Sequence, residues 1–123
     1  MRGTARSLEQ ARAVASKLFD GSPRPTAIVA SHDLLATACY HEAEVRGLAI
    51  GTDLCDVGFD DSLAATILRP QLSSVSQPLE LVGKEIIRLV AALLRGSPVL
   101  KPRVLLKPTL VVRESSSKPR SAD

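Results

Sequence analysis

From Ala27 to Phe59 the chain passes from a short apolar run, through a helical segment, to a second strand-like segment, an order that a βαβ unit satisfies and few other arrangements do. Ala27-Ile28-Val29-Ala30 is apolar at every position, as in a parallel strand covered on both faces. Ser31-His32-Asp33 breaks the run, and Asp33 or Ser31 is placed to cap a helix reaching Arg46. That helix turns Leu34, Leu35, Ala38 and Val45 inward and stops at Gly47, a residue suited to left-handed termination. A second strand follows from Leu54 to Phe59. Parallel strands joined through a helix cross over right-handedly, so the segment predicts an α/β fold.

The flanks fit the same class. Ser7-Leu8-Glu9-Gln10 is a capping box ahead of a helix whose stripe is Leu8, Ala11, Val14, Ala15 and Leu18, ended by Asp20-Gly21. Asp60-Asp61-Ser62 caps a short helix through Ile67, which Arg69-Pro70 ends. Ser73 to Ser76 is a short strand. Beyond Gln77-Pro78 a long helix carries Leu79, Val82, Ile86, Leu89, Val90, Leu93 and Leu94, and halts at Gly96-Ser97-Pro98. Val104 to Leu106 and Leu110 to Arg113 read as two strands joined through Lys107-Pro108. The folded portion spans 7–115, after a disordered lead over 1–6; a frayed polar tail begins at Glu114 and is disordered over 116–123.

A chain of 123 residues makes one compact domain. Its net charge of +3 invites a nucleic-acid partner until the charges are located. Residues 25–97 carry five basic and nine acidic side chains, and the basic excess lies at the two ends, so no folded basic face is offered to DNA. With aromatics at 2%, base stacking is excluded as well. Cys39 and Cys55 supply neither a disulfide framework nor a CxxC pair, so no metal is expected. No apolar run approaches the roughly 18 residues of a membrane span, and no apolar h-region follows Arg2 and Arg6. A cytoplasmic chain without a membrane partner is the expectation.

Open α/β sheets bind ligands beyond the carboxyl ends of their strands. Ser31-His32-Asp33, Asp60-Asp61-Ser62 and Ser76-Gln77 occupy three such ends. Carboxylates gathered there accept paired hydrogen bonds from vicinal hydroxyls, which points to a small polyol or sugar-like ligand bound by His32, Asp33, Asp60 and Gln77. For Asp33 and Asp61 helix capping is the simpler role, whereas Asp60, beside Phe59, is the better ligand contact. Adjacent Ser31, His32 and Asp33 cannot form a nucleophile–base–orienter triad, and no nucleophile elbow, phosphate loop or dinucleotide fingerprint is present. Cys39 packs on its helix. No catalytic residue and no cofactor is expected.

In order along the chain stand Arg24-Pro25-Thr26-Ala27-Ile28-Val29-Ala30-Ser31-His32-Asp33, Arg46-Gly47-Leu48, Asp56-Val57-Gly58-Phe59-Asp60-Asp61, Leu72-Ser73-Ser74-Val75-Ser76-Gln77-Pro78 and Leu110-Val111-Val112-Arg113-Glu114-Ser115. From about residue 7 to residue 115 this series resembles the C-terminal half of the LacI/GalR family of bacterial transcriptional regulators. The resemblance implies a periplasmic-binding-protein-like (type I) sensor domain, a largely parallel sheet flanked by helices and incomplete here, in which two α/β subdomains close on a sugar or nucleobase. It places effector contacts on His32, which stands where the family usually has Asn, and on Asp60, with Gln77 near the interdomain crossover. It also implies a homodimer, with Leu63, Ile67 and Leu68 at the seam unless those three serve the core.

No segment resembles the family's helix-turn-helix, so DNA would be reached only through a domain outside these residues, and a truncated fragment is expected. The helix from Leu79 to Leu94 would then lack the sheet it covers in the family and would self-associate or dock elsewhere. A sugar-binding transport receptor of the same fold is the alternative reading, and a small hydrolase a remote one.

Overall fold

The computed structural model describes residues 7–98 and 103–117. These divide into two compact units, one built from residues up to Ser76 together with those from Leu110 on, the other from Gln77 to Thr109. The expected lead over 1–6 and the tail from 118 lie outside the described residues.

In the first unit α1 (Leu8–Phe19) precedes β1 (Ala27–Val29), α2 (Asp33–Val45), β2 (Cys55–Phe59), α3 (Leu63–Ile67) and β3 (Ser73–Ser76). The sheet order is β1-β2-β3-β4, with β4 spanning Thr109–Val111. The pairs β1–β2 and β2–β3 are parallel, with Val29 opposite Val57 and Phe59 opposite Val75. Ser7 caps α1 by accepting the Gln10 N–H at 3.2 Å. At the end of α2, Gly47 has φ 66° and the Leu48 N–H returns to the Ala43 carbonyl at 2.8 Å, closing the helix in a left-handed turn.

The core forms where α1 and α2 meet over one sheet face. Ala11, Ala15 and Phe19 pack with Leu35, Ala38, Cys39, Ala43 and Leu54, and a second cluster joins Ala36, Ala65 and Leu72. Alanines on facing helices let the backbones approach closely. Consequently Leu34 and Val45, expected inward, are more than half exposed, and the buried stripe of α2 runs through smaller residues. Arg46 links the same two helices: its guanidinium lies 5.4 Å over the Phe19 ring and binds Asp20 at 2.8 Å, Ser16 Oγ at 3.0 Å and Glu42. The strand expected to be covered on both faces is not. Val29 in β1 is 78% exposed, because β1 is an edge strand and the helices cover only the face carrying Ile28.

The chain re-enters the first unit at Leu110. Glu114–Ser116 form a 3₁₀ turn instead of a frayed tail. Fully buried Ser115 donates to the Asp56 carbonyl at 2.6 Å and accepts the Ser73 N–H at 2.8 Å. Gly51 makes room for this strap: a Cβ there would lie 2.5 Å from the Glu114 carbonyl oxygen.

In the second unit α4 (Leu79–Leu94) has no buried residue, and its polar side carries the pairs Lys84–Glu80 at 2.7 Å and Arg88–Glu85 at 2.8 Å. Val104–Leu106, expected as a strand, is not one, and the Lys107-Pro108 step that follows denies a ladder the proline's donor.

Candidate functional site

The loop after β2 has an unusual backbone. Asp60 (φ 98°) and Asp61 (φ 51°) both lie in the left-handed region, which disfavours residues with a Cβ. Consecutive residues persist there only when their surroundings impose it. Here the Asp60 N–H donates to the Val75 carbonyl at 2.9 Å, and the Asp61 N–H to Ser74 Oγ at 3.0 Å. The Ser62 N–H donates to Asp33 Oδ2 at 2.6 Å.

Asp33 is the post on which this loop rests. It is 1% exposed, and its other oxygen accepts the Ser74 hydroxyl at 2.6 Å. Gly58 is required beside it, since a Cβ there would come within 2.2 Å of Asp33 Oδ1. Asp33 therefore does not cap its own helix, and both of its oxygens are engaged by Ser62 and Ser74. His32 is the N-cap of α2, with no side-chain cap bond. Asp61, expected as a helix cap, instead pairs with Arg113 at 2.7 Å; the N-cap of α3 is Ser62, which makes no side-chain cap bond.

Two expected ligand residues remain at this rim. Asp60 is exposed, and His32 is half-buried with an imidazole that has no hydrogen-bond partner among the described residues. Gln77, exposed, opens the second unit. The groove of about 860 Å³ between α1 and β1 lies elsewhere: Val14, Leu18, Pro23, Pro25 and Ile28 line it, Asp60 and His32 do not. Of the three residues expected at the dimer seam, Leu63 and Ile67 are well exposed, while Leu68 packs on the Ala36, Ala65 and Leu72 cluster and serves the core.

Sequence reasoning missed Arg113, whose guanidinium also donates to the Leu72 carbonyl at 2.8 Å and so ties the returning chain to the loop. It missed Asp56 too, a fully buried carboxyl on β2 whose two oxygens meet no partner in hydrogen-bond geometry among the described residues. Burial pushes the Asp56 carboxyl up to about 8. The same burial, followed by the Asp56 charge, pushes the Cys39 thiol up, leaving an inert packed thiol. Neither residue reaches the rim. Among the described residues no cluster of His, Cys, Asp and Glu is arranged to hold a metal ion.

Residues 2–116 match the family model described as the periplasmic binding protein-like domain. The HTH-type transcriptional regulator DegA of Bacillus subtilis is 40% identical over 111 residues, covering 90% of this chain and 33% of its own length. A regulatory protein of the LacI family from Chloroflexus aggregans superposes with TM-score 0.83 at 39% identity, over 94% of this chain and 41% of that one. A LacI family transcriptional regulator from Arthrobacter sp. FB24, solved in complex with lactose, gives TM-score 0.79 at 31% identity, over 89% of this chain and 42% of that one. The chain thus spans about a third of the length of the curated relative and about two-fifths of each of the two solved ones. A parallel sheet flanked by helices, a strained strand-end loop and these likenesses agree: the chain belongs to the periplasmic binding protein-like domain family, as the C-terminal part of the effector-binding domain of a LacI/GalR-type transcriptional regulator.

Proposed function

We propose that this chain is the effector-sensing part of such a regulator, and that Asp60 and His32 contact a sugar-like ligand at the strand-end rim. The observation that carries this is the turn after β2, where Asp60 stands exposed at the strand end on a left-handed backbone that the Val75 carbonyl and Ser74 hold in place. A left-handed backbone in a residue other than glycine costs about 1–3 kcal/mol, and such strain recurs at ligand-binding turns. The lactose held by the Arthrobacter relative supports the ligand class. The regulator acts as a homodimer with Leu63 and Ile67 at its seam, reaches DNA through a domain outside these residues, and works in the cytoplasm. Gln77 is a further proposed ligand residue.

Calorimetric titration against mono- and disaccharides and nucleosides tests the reading. Binding to at least one sugar is expected, weakened at least tenfold by Asp60→Asn through loss of charge-assisted hydrogen bonds. Asp60→Gly is expected to lose binding while gaining about 1 kcal/mol of stability, because glycine adopts this backbone freely. Silence across the panel from a chain with native circular dichroism, or ligand turnover that Asp60→Asn removes, would overturn it.

A further inference from the structure

The turn that carries Asp60 is gripped by two separate parts of the chain. Acceptors for its amides come from β3 and α2: the Val75 carbonyl, Ser74 Oγ and Asp33 Oδ2. From the returning chain after β4 comes Arg113, 52 positions away, whose Nη2 donates to Asp61 Oδ1 at 2.7 Å. Arg113 is itself fixed along its length. Its N–H donates to Ser73 Oγ at 2.7 Å, its carbonyl accepts from that hydroxyl at 3.1 Å, and its Nη1 donates to the Leu72 carbonyl at 2.8 Å. The two side chains of the ion pair are only 15% and 20% exposed, so solvent screens this charge-assisted bond less than a surface pair. One planar guanidinium serves the Asp61 carboxylate and the Leu72 carbonyl together, a fork that a lysine ammonium lacks.

We propose that Arg113 is a positioning residue for the effector site: through Asp61 it holds the turn that presents Asp60, and so sets effector affinity. The physical reason lies in the backbone. Asp60 and Asp61 both have positive φ, and residues with a Cβ leave that region unless something holds them. Turning the Asp61 backbone out of it swings the Cβ, and the carboxylate with it, away from a guanidinium that is fixed elsewhere. The ion pair therefore opposes the relaxation. A ligand contact works only while its side chain stays close to the productive geometry, so a turn free to relax binds less well even with Asp60 intact. The inference rests on the reading of Asp60 as a ligand contact and adds to it a residue that acts from the returning chain.

Amide hydrogen exchange read by NMR on the full chain, without ligand, tests the turn directly. Arg113→Met is expected to speed exchange of the Asp60 and Asp61 amides at least tenfold relative to the Ala30 amide, which is bonded to the Val57 carbonyl. In an Asp61→Asn background the same substitution is expected to change those rates less than twofold, since the partner it acts through is gone. Titration of the sugar that binds the unsubstituted chain is expected to give a dissociation constant at least tenfold higher for Arg113→Met. Unchanged turn amides overturn the proposal, as does an equal acceleration in the Asp61→Asn background, which would place the effect at Leu72 and Ser73. An unchanged dissociation constant with loosened amides overturns it too. If circular dichroism shows Arg113→Met unfolded, Arg113→Lys takes its place: at least threefold faster exchange is expected, and none overturns the proposal. Loosened amides in a chain that binds no sugar would overturn the effector reading and uphold Arg113 as the holder of the turn, so the two failures are distinct.

Discussion

Asp56 enters β2 among apolar neighbours and is buried, with no donor in hydrogen-bond geometry for either oxygen among the described residues. A carboxyl in such a place keeps its proton in the native state and releases it readily when unfolded. The sign of the pH dependence follows from linkage. Stability is full below the unfolded value of 3.8, declines as pH rises toward about 8, and levels beyond it, by up to about 1 kcal/mol per pH unit. Urea denaturation at pH 5, 6.5 and 8, followed by the fluorescence of Tyr40 in the same unit, is expected to show this decline. Asp56→Val is expected to remove it and to stabilise the fold by about 1–3 kcal/mol at pH 8. Equal slopes in both proteins would rule Asp56 out as the source. Asp33, buried equally well, is the contrast: its oxygens accept from Ser62 and Ser74. Both residues are aspartates beside apolar runs, and the difference between them depends on Ser74, 41 positions from Asp33. No local pattern records such a distance.

Among the elements, the helices and strands legible in the sequence are those whose signals are local. The Ser7 cap, the Gly47 stop and the apolar run of β1 each act within a few residues, and each element is found as expected. The strap at Glu114–Ser116 has no such signal: Ser-Ser-Ser reads as solvent-loving, and Ser115 is buried because the Asp56 carbonyl and the Ser73 amide need a partner there. Ser115→Ala is therefore expected to cost about 1–3 kcal/mol in thermal denaturation. Ser117→Ala, at an exposed hydroxyl, is expected to stay within about 0.5 kcal/mol. Equal losses at both positions would mean that the strap does not hold the sheet.

For the whole molecule the question is which apolar side chains serve the core and which await a partner. Leu63, Ile67 and Leu68 are close in sequence and equal in chemistry, and sequence reasoning left them together. The fold separates them, because Leu68 turns onto Ala36 and Leu72 while Leu63 and Ile67 face outward. Leu68→Asp is expected to destabilise the fold by about 2–4 kcal/mol. Leu63→Asp and Ile67→Asp are expected to leave stability within about 0.5 kcal/mol and to weaken self-association tenfold in equilibrium sedimentation. Loss of stability at all three would return them to the core.

The amino-acid sequence alone determined the α/β class, the order of the elements, the family series and the strand-end rim, because periodicity, caps and turn residues act over a few positions. Tertiary structure decided that Asp60 faces outward while Asp33 and Asp61 face inward, and that Val29 lies open on an edge. It also decided that a serine-rich tail closes the sheet. Each of those outcomes depends on which distant groups arrive within hydrogen-bond or packing distance, a choice made by the assembled fold.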